Sequence, residues 1–183
     1  RGLHKQGKLN EQQARPFAPR RPPEELYDLD SDPYELVNLA WEPKHQKKLL
    51  AMRKALFERM AKTRDVGLIP EPILEDLGRE AGNKYKVFLD NDYSDQTRRL
   101  IDVITSGEAN NMAKLLEYTK SPDPSTRYWS AVWLGVNEAT QGKDMLLKLT
   151  ADRVPAIRVA AAQALYRLGD LSKLKILFDH IND

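Results

Sequence analysis

Asp123-Pro124-Ser125-Thr126-Arg127-Tyr128-Trp129-Ser130-Ala131-Val132-Trp133-Leu134-Gly135 is the stretch on which the fold turns, because the chain repeats its pattern further on. Displaced by 31 residues (155 − 124), Pro124-Ser125-Thr126-Arg127 falls on Pro155-Ala156-Ile157-Arg158. The same displacement takes Ala131 to Ala162 and Leu134 to Leu165. It also takes Leu115-Leu116 to Leu146-Leu147 and then to Leu177-Phe178. Apolar pairs in register at one period between 20 and 50 residues are the mark of stacked repeats, in which each unit buries its apolar face on its neighbour. Each unit here reads as a short helix carrying the leucine pair, a turn, and a second helix opened by proline, where the missing N–H costs nothing. Ala160, Ala161, Ala162 and Ala164 let neighbouring helices approach closely. Gly169-Asp170 ends the second unit, and the first helix of a third follows. That half-unit exposes Leu174, Ile176, Leu177 and Phe178 unless they fold back on the stack.

The Asp123–Gly135 run resembles repeats of the HEAT type, which implies about two and a half HEAT-like repeats over residues 107–183. Tyr128, Trp129 and Trp133 place three large aromatics on its second helix, with Trp129 and Trp133 four apart on one face. Two readings stay open for them. They fill space against the preceding part of the chain, as the small apolar Val159, Ala160 and Ala164 at the matching positions suggest, or they form a binding surface for a sugar or a protein.

Upstream, residues 69–106 read as a connector punctuated by Pro70, Pro72, Gly78 and Gly82, with at most a short helix at Ile73–Leu77 and a further helix over about 95–106. Residues 85–92 alternate Val87 and Leu89 against Lys86 and Phe88, and the pattern does not decide between strand and helix. Asp90, Asn91, Asp92 and Asp95 look superficially like a calcium loop, but the glycine and distal glutamate that such a loop needs are missing. Capping by Ser94 or Asp95 ahead of Leu100, Ile101, Val103 and Ile104 accounts for them better. Residues 43–65 form a long amphipathic helix, with Leu49, Met52, Leu56 and Met60 in one stripe flanked by Leu50 and Phe57. Pro43 sits in its first turn, and Gly67 is placed to end it.

Before that helix lies Pro22-Pro23-Glu24-Glu25-Leu26-Tyr27-Asp28-Leu29-Asp30-Ser31-Asp32-Pro33-Tyr34-Glu35-Leu36-Val37-Asn38-Leu39-Ala40. Residues 25–29 read as a strand with Tyr27 and Leu29 on one face, and Asp32-Pro33 opens a type I turn. A single strand cannot satisfy its own edges, so it either pairs with chain outside this sequence or packs as an irregular ribbon. Residues 3–14 suit a short helix ended by Pro16.

Pro-x-Glu-Leu-Tyr-Asp-Leu, Asp-Pro-x-Glu-x-x-Asn-Leu-Ala and the helix ending in Thr63-Arg64-Asp65-Val66-Gly67-Leu68-Ile69-Pro70-Glu71 closely resemble the C-terminal end of formylglycine-dependent sulfatases. Gly7-Lys8-Leu9-Asn10 and Gln13-Ala14-Arg15-Pro16-Phe17 look like the segment that precedes it in bacterial members, so the resemblance covers roughly residues 5 to 72. It implies a mainly α chain: the remnant of a sulfatase C-terminal α+β subdomain over residues 1–68, the connector, and a short α-solenoid. It further implies a parent enzyme that hydrolyses sulfate esters or sulfamates with formylglycine and calcium, in the periplasm or secreted. Arg1 is then internal to a longer polypeptide whose N-terminal catalytic domain is the partner of this piece.

The catalytic motif of that family, Cys/Ser-x-Pro-x-Arg, is absent. The chain has no cysteine, and Ser121-Pro122-Asp123-Pro124-Ser125-Thr126-Arg127 carries the right residue types at the wrong spacing. No catalytic or metal-binding residue is therefore assigned, no cofactor is expected in this chain, and the chain alone is expected to be inactive. Its three histidines, His4, His45 and His180, stand in separate segments. His4, nearest the expected catalytic portion, joins Tyr128, Trp129 and Trp133 as a candidate binding residue. A net charge of +2 from 29 basic and 27 acidic interspersed side chains gives no electrostatic case for nucleic acid or an anionic membrane. No apolar run approaches the ~20 residues that span a bilayer. A rival of a different class remains: a freestanding helical-repeat interaction module that keeps a sulfatase-derived N-terminus.

Overall fold

The computed structural model describes residues 1–18, 21–90 and 94–179, and it divides into two compact units, Arg1–Leu56 and Phe57–Asp183. All the regular structure of the described residues is helical.

In the first unit, α1 (Gly2–Lys5) and α2 (Glu11–Ala14) stand where a single helix is predicted over residues 3–14. Gly7, in the left-handed region at φ 65°, breaks the run, and Asn10 restarts it by accepting from the Gln13 N–H at 2.9 Å. Pro16 continues into a 3-10 turn, Arg15–Phe17, that ends the element. The strand predicted at 25–29 does not form. Residues 24–28 have no regular structure, and the groups a neighbouring strand would have paired are taken up by one side chain. Asn38 accepts from the N–H groups of Leu26 and Ala40 at 3.0 Å each and donates to the Glu24 carbonyl at 3.1 Å. A single backbone bond, Leu39 N–H to Leu26 O at 2.8 Å, completes the pairing. The segment is the irregular ribbon, and the Asx chemistry of Asn38 substitutes for a strand edge. The turn at Asp32-Pro33 closes through Glu35 N–H to Asp32 O at 3.1 Å, with the Asp32 carboxylate also taking the Val37 N–H at 2.7 Å.

Pro43 opens a 3-10 turn (Pro43–His45) that runs into α3 (Gln46–Lys62), the helix in which the two units meet in sequence. Arg64, not Gly67, terminates it. Arg64 takes φ 55°, and Asp65 N–H returns to Met60 O at 2.9 Å, the six-to-one bond of a Schellman turn.

The second unit is a helical solenoid preceded by two helices. α4 (Glu71–Ala81) is longer than the short helix predicted at 73–77, because Pro72 falls in its first turn and Gly78 serves a close approach to Lys84 rather than a break. α5 (Lys84–Asp90) makes residues 85–90, the described part of the ambiguous 85–92 stretch, helix, with Val87 1% exposed. Asn91 and Asp92 of the calcium-like sequence, and His180, lie outside the described residues.

α6 (Ser94–Glu108), α8 (Pro124–Val136) and α10 (Pro155–Arg167) pack side by side in one row. The shorter α7 (Met112–Tyr118), α9 (Lys143–Leu149) and α11 (Leu174–Asp179) alternate with them along the chain. The repeat predicted from sequence sits in register: α7, α9 and α11 begin at 112, 143 and 174, and α8 and α10 begin at 124 and 155. Leu115, Leu134, Leu146 and Leu165 are all fully buried. α6 joins the row although it lacks the opening proline. Its end does carry the sign, since Asn110, Glu138 and Gly169 all sit in the left-handed region after α6, α8 and α10. A six-to-one backbone bond closes each of these turns: Asn111 to Ser106, Ala139 to Leu134 and Asp170 to Leu165.

Gly135 shows why the alanine-rich α10 can lie so close: a Cβ there would stand 2.7 Å from both Cα and Cβ of Ala164. On the opposite flank α8 meets α6 through the Trp133 ring, which lies where a Cβ on Gly107 would have to be. Of the terminal half-unit, Leu174, Ile176 and Leu177 fold back to partial burial, while Phe178 remains 61% exposed.

Candidate functional site

The four candidate binding residues do not form one group. His4 belongs to the first unit, where its ring stacks on Phe17 at 4.3 Å between centroids. Tyr128, Trp129 and Trp133 belong to the second unit and are partly buried against its core. Trp129 donates its indole N–H to the Leu68 carbonyl at 2.7 Å, a contact across 61 residues of sequence. Tyr128 and Trp129 meet edge to face, at 88° between ring planes and 5.5 Å between centroids, the arrangement aromatic quadrupoles prefer. Trp133 lies against the α6 backbone with its Nε1 buried and without a hydrogen-bond partner. These contacts are those of packing groups.

The polar side chains of the solenoid bind its own turns. Arg127, at 8% exposure, forms a bidentate pair with Asp152 in the next repeat, Nε to Oδ2 at 2.8 Å and Nη2 to Oδ1 at 3.1 Å. Its Nη1 donates to the carbonyls of Ser121 and Pro122 at 2.8 and 3.0 Å. Arg158, one period on, reaches the matching carbonyls of Asp152 and Arg153 at 3.1 and 3.4 Å. The arginine that the repeat places in register thus clamps the turn of its own unit, and Arg127 also links two units. Burial alone raises the Asp152 carboxyl, but the Arg127 hydrogen bonds and the Val154 N–H outweigh it and hold the group below its ordinary value. Between α6 and α7, Asp102 receives Lys114 Nζ at 2.9 and 3.0 Å and the Tyr118 hydroxyl. Burial first, and then this bond to Asp102, push the Tyr118 phenol up to about 12. A phenol in that state is a donor, not a base or nucleophile. Among the described residues no three His, Asp or Glu side chains stand together as metal ligands.

The unusual surface is in the first unit. Of its described hydrophobic residues only Ala40 and Leu49 are fully buried, at 3% and 8% exposure. Leu29, Tyr34, Val37, Trp41, Met52 and Leu56 are between 50% and 81% exposed. The α3 stripe foreseen from its spacing is therefore present but largely uncovered, because the ribbon reaches only its Leu49 edge. An ion pair ties ribbon to helix, with Arg53 Nε on Glu24 Oε1 at 2.7 Å and Nη2 on the other oxygen. Domains of this size bury a core of their own when they stand alone, and extended exposed apolar surface marks an interaction face. Sequence reasoning missed this. Periodicity identifies an apolar stripe but not whether anything lies on it.

Residues 112–183 match the family profile for HEAT repeats. Over 69 residues, 38% of its length, the chain is 45% identical to the ulvan-active sulfatase of Formosa agariphila. That stretch is 12% of the sulfatase, so the chain spans far less than two thirds of the curated relative it matches. No solved structure matches the chain. No helix of the described residues is long and apolar enough to cross a membrane. The chain is mainly helical, carries HEAT-like repeats, and in part is similar to a sulfatase.

Proposed function

We propose that this chain is the non-catalytic C-terminal region of a sulfatase, in which the first unit docks on an N-terminal catalytic domain and the solenoid extends beyond it. The observation that carries the reading is the uncovered apolar surface of Arg1–Leu56, exposed as interaction faces are, over a small core in which Ala40 and Leu49 are buried. Partial identity to a sulfatase supports the choice of partner. In this reading the catalytic domain supplies formylglycine and calcium and hydrolyses a sulfate ester or sulfamate, with sulfated carbohydrate as the substrate class. The protein works in the periplasm or outside the cell. The solenoid offers its outer faces to protein or carbohydrate.

Reading the coding DNA around this stretch in its source genome tests the proposal. An in-frame upstream region of several hundred codons containing Cys/Ser-x-Pro-x-Arg is expected, and its absence would overturn the reading. Turnover of an aryl sulfate by the purified chain would refute the non-catalytic role. One observation favours a second reading, a freestanding repeat module. The solenoid has a continuous core of its own, with Leu115, Leu134, Leu146, Ile157 and Leu165 all fully buried. A monodisperse natural product of this length would favour it.

A further inference from the structure

The first unit also contains a cleft of about 320 Å³ lined by Arg15, Arg21, Glu25, Tyr27 and the apolar Pro16, Ala18 and Pro22, with Asn38 as one wall. Its size is at the lower end for small-molecule sites, enough for one ring and its substituents. The Asn38 side chain is held by three hydrogen bonds to the ribbon and acts as a fixed wall. Arg15 is anchored: Nη1 donates to the Glu35 carbonyl at 3.3 Å and Nη2 to that of Leu36. A guanidinium has five N–H donors, so the two bonds that orient Arg15 do not use all that this lining residue can offer. Arg21 is exposed. Burial first, and then the neighbouring Glu25 carboxylate, raise the Tyr27 phenol above its ordinary value.

We infer that this cleft binds an acidic monosaccharide unit, with Arg15 and Arg21 holding its oxyanion, Glu25 accepting from a ring hydroxyl, and the proline and tyrosine faces covering its C–H face. Guanidinium is the side chain best matched to a planar or tetrahedral oxyanion, since its fork can give two parallel hydrogen bonds. Two guanidiniums against one carboxylate leave the lining net positive. The carboxylate would be superfluous for a bare ion but suits a ligand that carries hydroxyl donors beside its charge. A lining that combines apolar and polar groups suits the mixed C–H and hydroxyl surface of a pyranose. A sulfate ester and a uronate carboxylate share this oxyanion chemistry. Preferring sulfated probes rests on the sulfatase reading; the cleft itself does not.

The test is titration of the full chain with galactose 6-sulfate, glucuronate, galactose and inorganic sulfate, followed calorimetrically and by amide shifts at low salt. Binding of at least one acidic sugar in the millimolar range is expected, with galactose and inorganic sulfate each at least about tenfold weaker, a charge-assisted hydrogen bond being worth that much. Which acidic sugar binds tighter names the oxyanion. Arg21→Ala should weaken binding about tenfold with unchanged circular dichroism, and Arg21→Lys should recover part of it. Arg15→Lys is a second variant that keeps a cation at the anchored position. Equal binding of galactose, equal binding of inorganic sulfate, undiminished binding by Arg21→Ala, or no binding of either acidic sugar would each overturn the inference. None of these results bears on the coding-region test of the sulfatase reading.

Discussion

Replacing Asp152 with asparagine is expected to destabilise the solenoid by about 3 kcal/mol. Asp152 and Arg127 are nearly enclosed, their side chains only 9% and 10% exposed, and they join consecutive repeats through two charge-assisted bonds. Breaking such a pair from one side costs about 3–5 kcal/mol, because the remaining guanidinium stays buried without its counter-charge. Asparagine keeps one oxygen for Arg127 and for the Val154 N–H, now 2.9 Å from Oδ1, which places the substitution at the lower end. At roughly 4 °C per kcal/mol for a unit of this length, the midpoint should fall by about 12 °C. The carboxyl also makes the unit acid-sensitive. Its folded pKa lies below the ordinary aspartate value, so its contribution is complete above about pH 4 and is lost as pH falls through the folded value. Urea unfolding of parent and Asp152→Asn at pH 7 and at pH 3 reads both effects. The gap between the two proteins should narrow at the lower pH. A loss under about 1 kcal/mol at pH 7, or a gap independent of pH, would refute the account of this pair.

Other consequences separate residues that look alike in sequence. Trp129→Phe should cost about 1–2 kcal/mol by stranding the Leu68 carbonyl, while Trp133→Phe, which removes a buried N–H that has no partner, should change stability by less than about 1 kcal/mol; thermal melts compare them. Glu138 occupies the left-handed position that its 31-residue counterpart Gly169 fills, so Glu138→Gly should stabilise the unit by about 1 kcal/mol, read as a higher urea midpoint. Tyr118, raised to about 12 by burial and Asp102, should ionise late in an alkaline titration. A raised folded pKa means that its contribution is whole below pH 10 and lost as pH rises through about 12, so Tyr118→Phe should remove the late phase of an absorbance titration. Asn38→Ala removes three hydrogen bonds from the ribbon and should cost the first unit about 2 kcal/mol, seen as faster amide exchange at Leu26 and Ala40.

The solenoid was legible because its information is periodic. Leucine pairs, opening prolines and the turn arginine recur 31 residues apart, and a repeat that packs on its neighbour must present the same face each time, so register in sequence becomes register in space. The long helix was equally plain from its apolar stripe. Residues 25–29 were misread for the opposite reason. Strand-like alternation is a local pattern, whereas a strand exists only if another edge pairs with it, and here Asn38, twelve residues beyond Leu26, meets that need with one amide. Gly78 and Pro72 looked like breaks, and only packing against Lys84 and a place in the first turn made them parts of a helix.

What the residues by themselves determined is thus the helical class, the repeat and its period, and the lack of the sulfatase nucleophile motif. Tertiary structure alone decided which apolar faces are covered, that α6 belongs to the stack, that Trp129 is held by Leu68 sixty-one residues away, and that Arg15 and Arg21 line one cleft. The division follows from range. Helix periodicity and proline placement act within a few residues and are written in order along the chain. Burial and long-range hydrogen bonds depend on which segments meet, and that is set by the free energy of the whole packed unit.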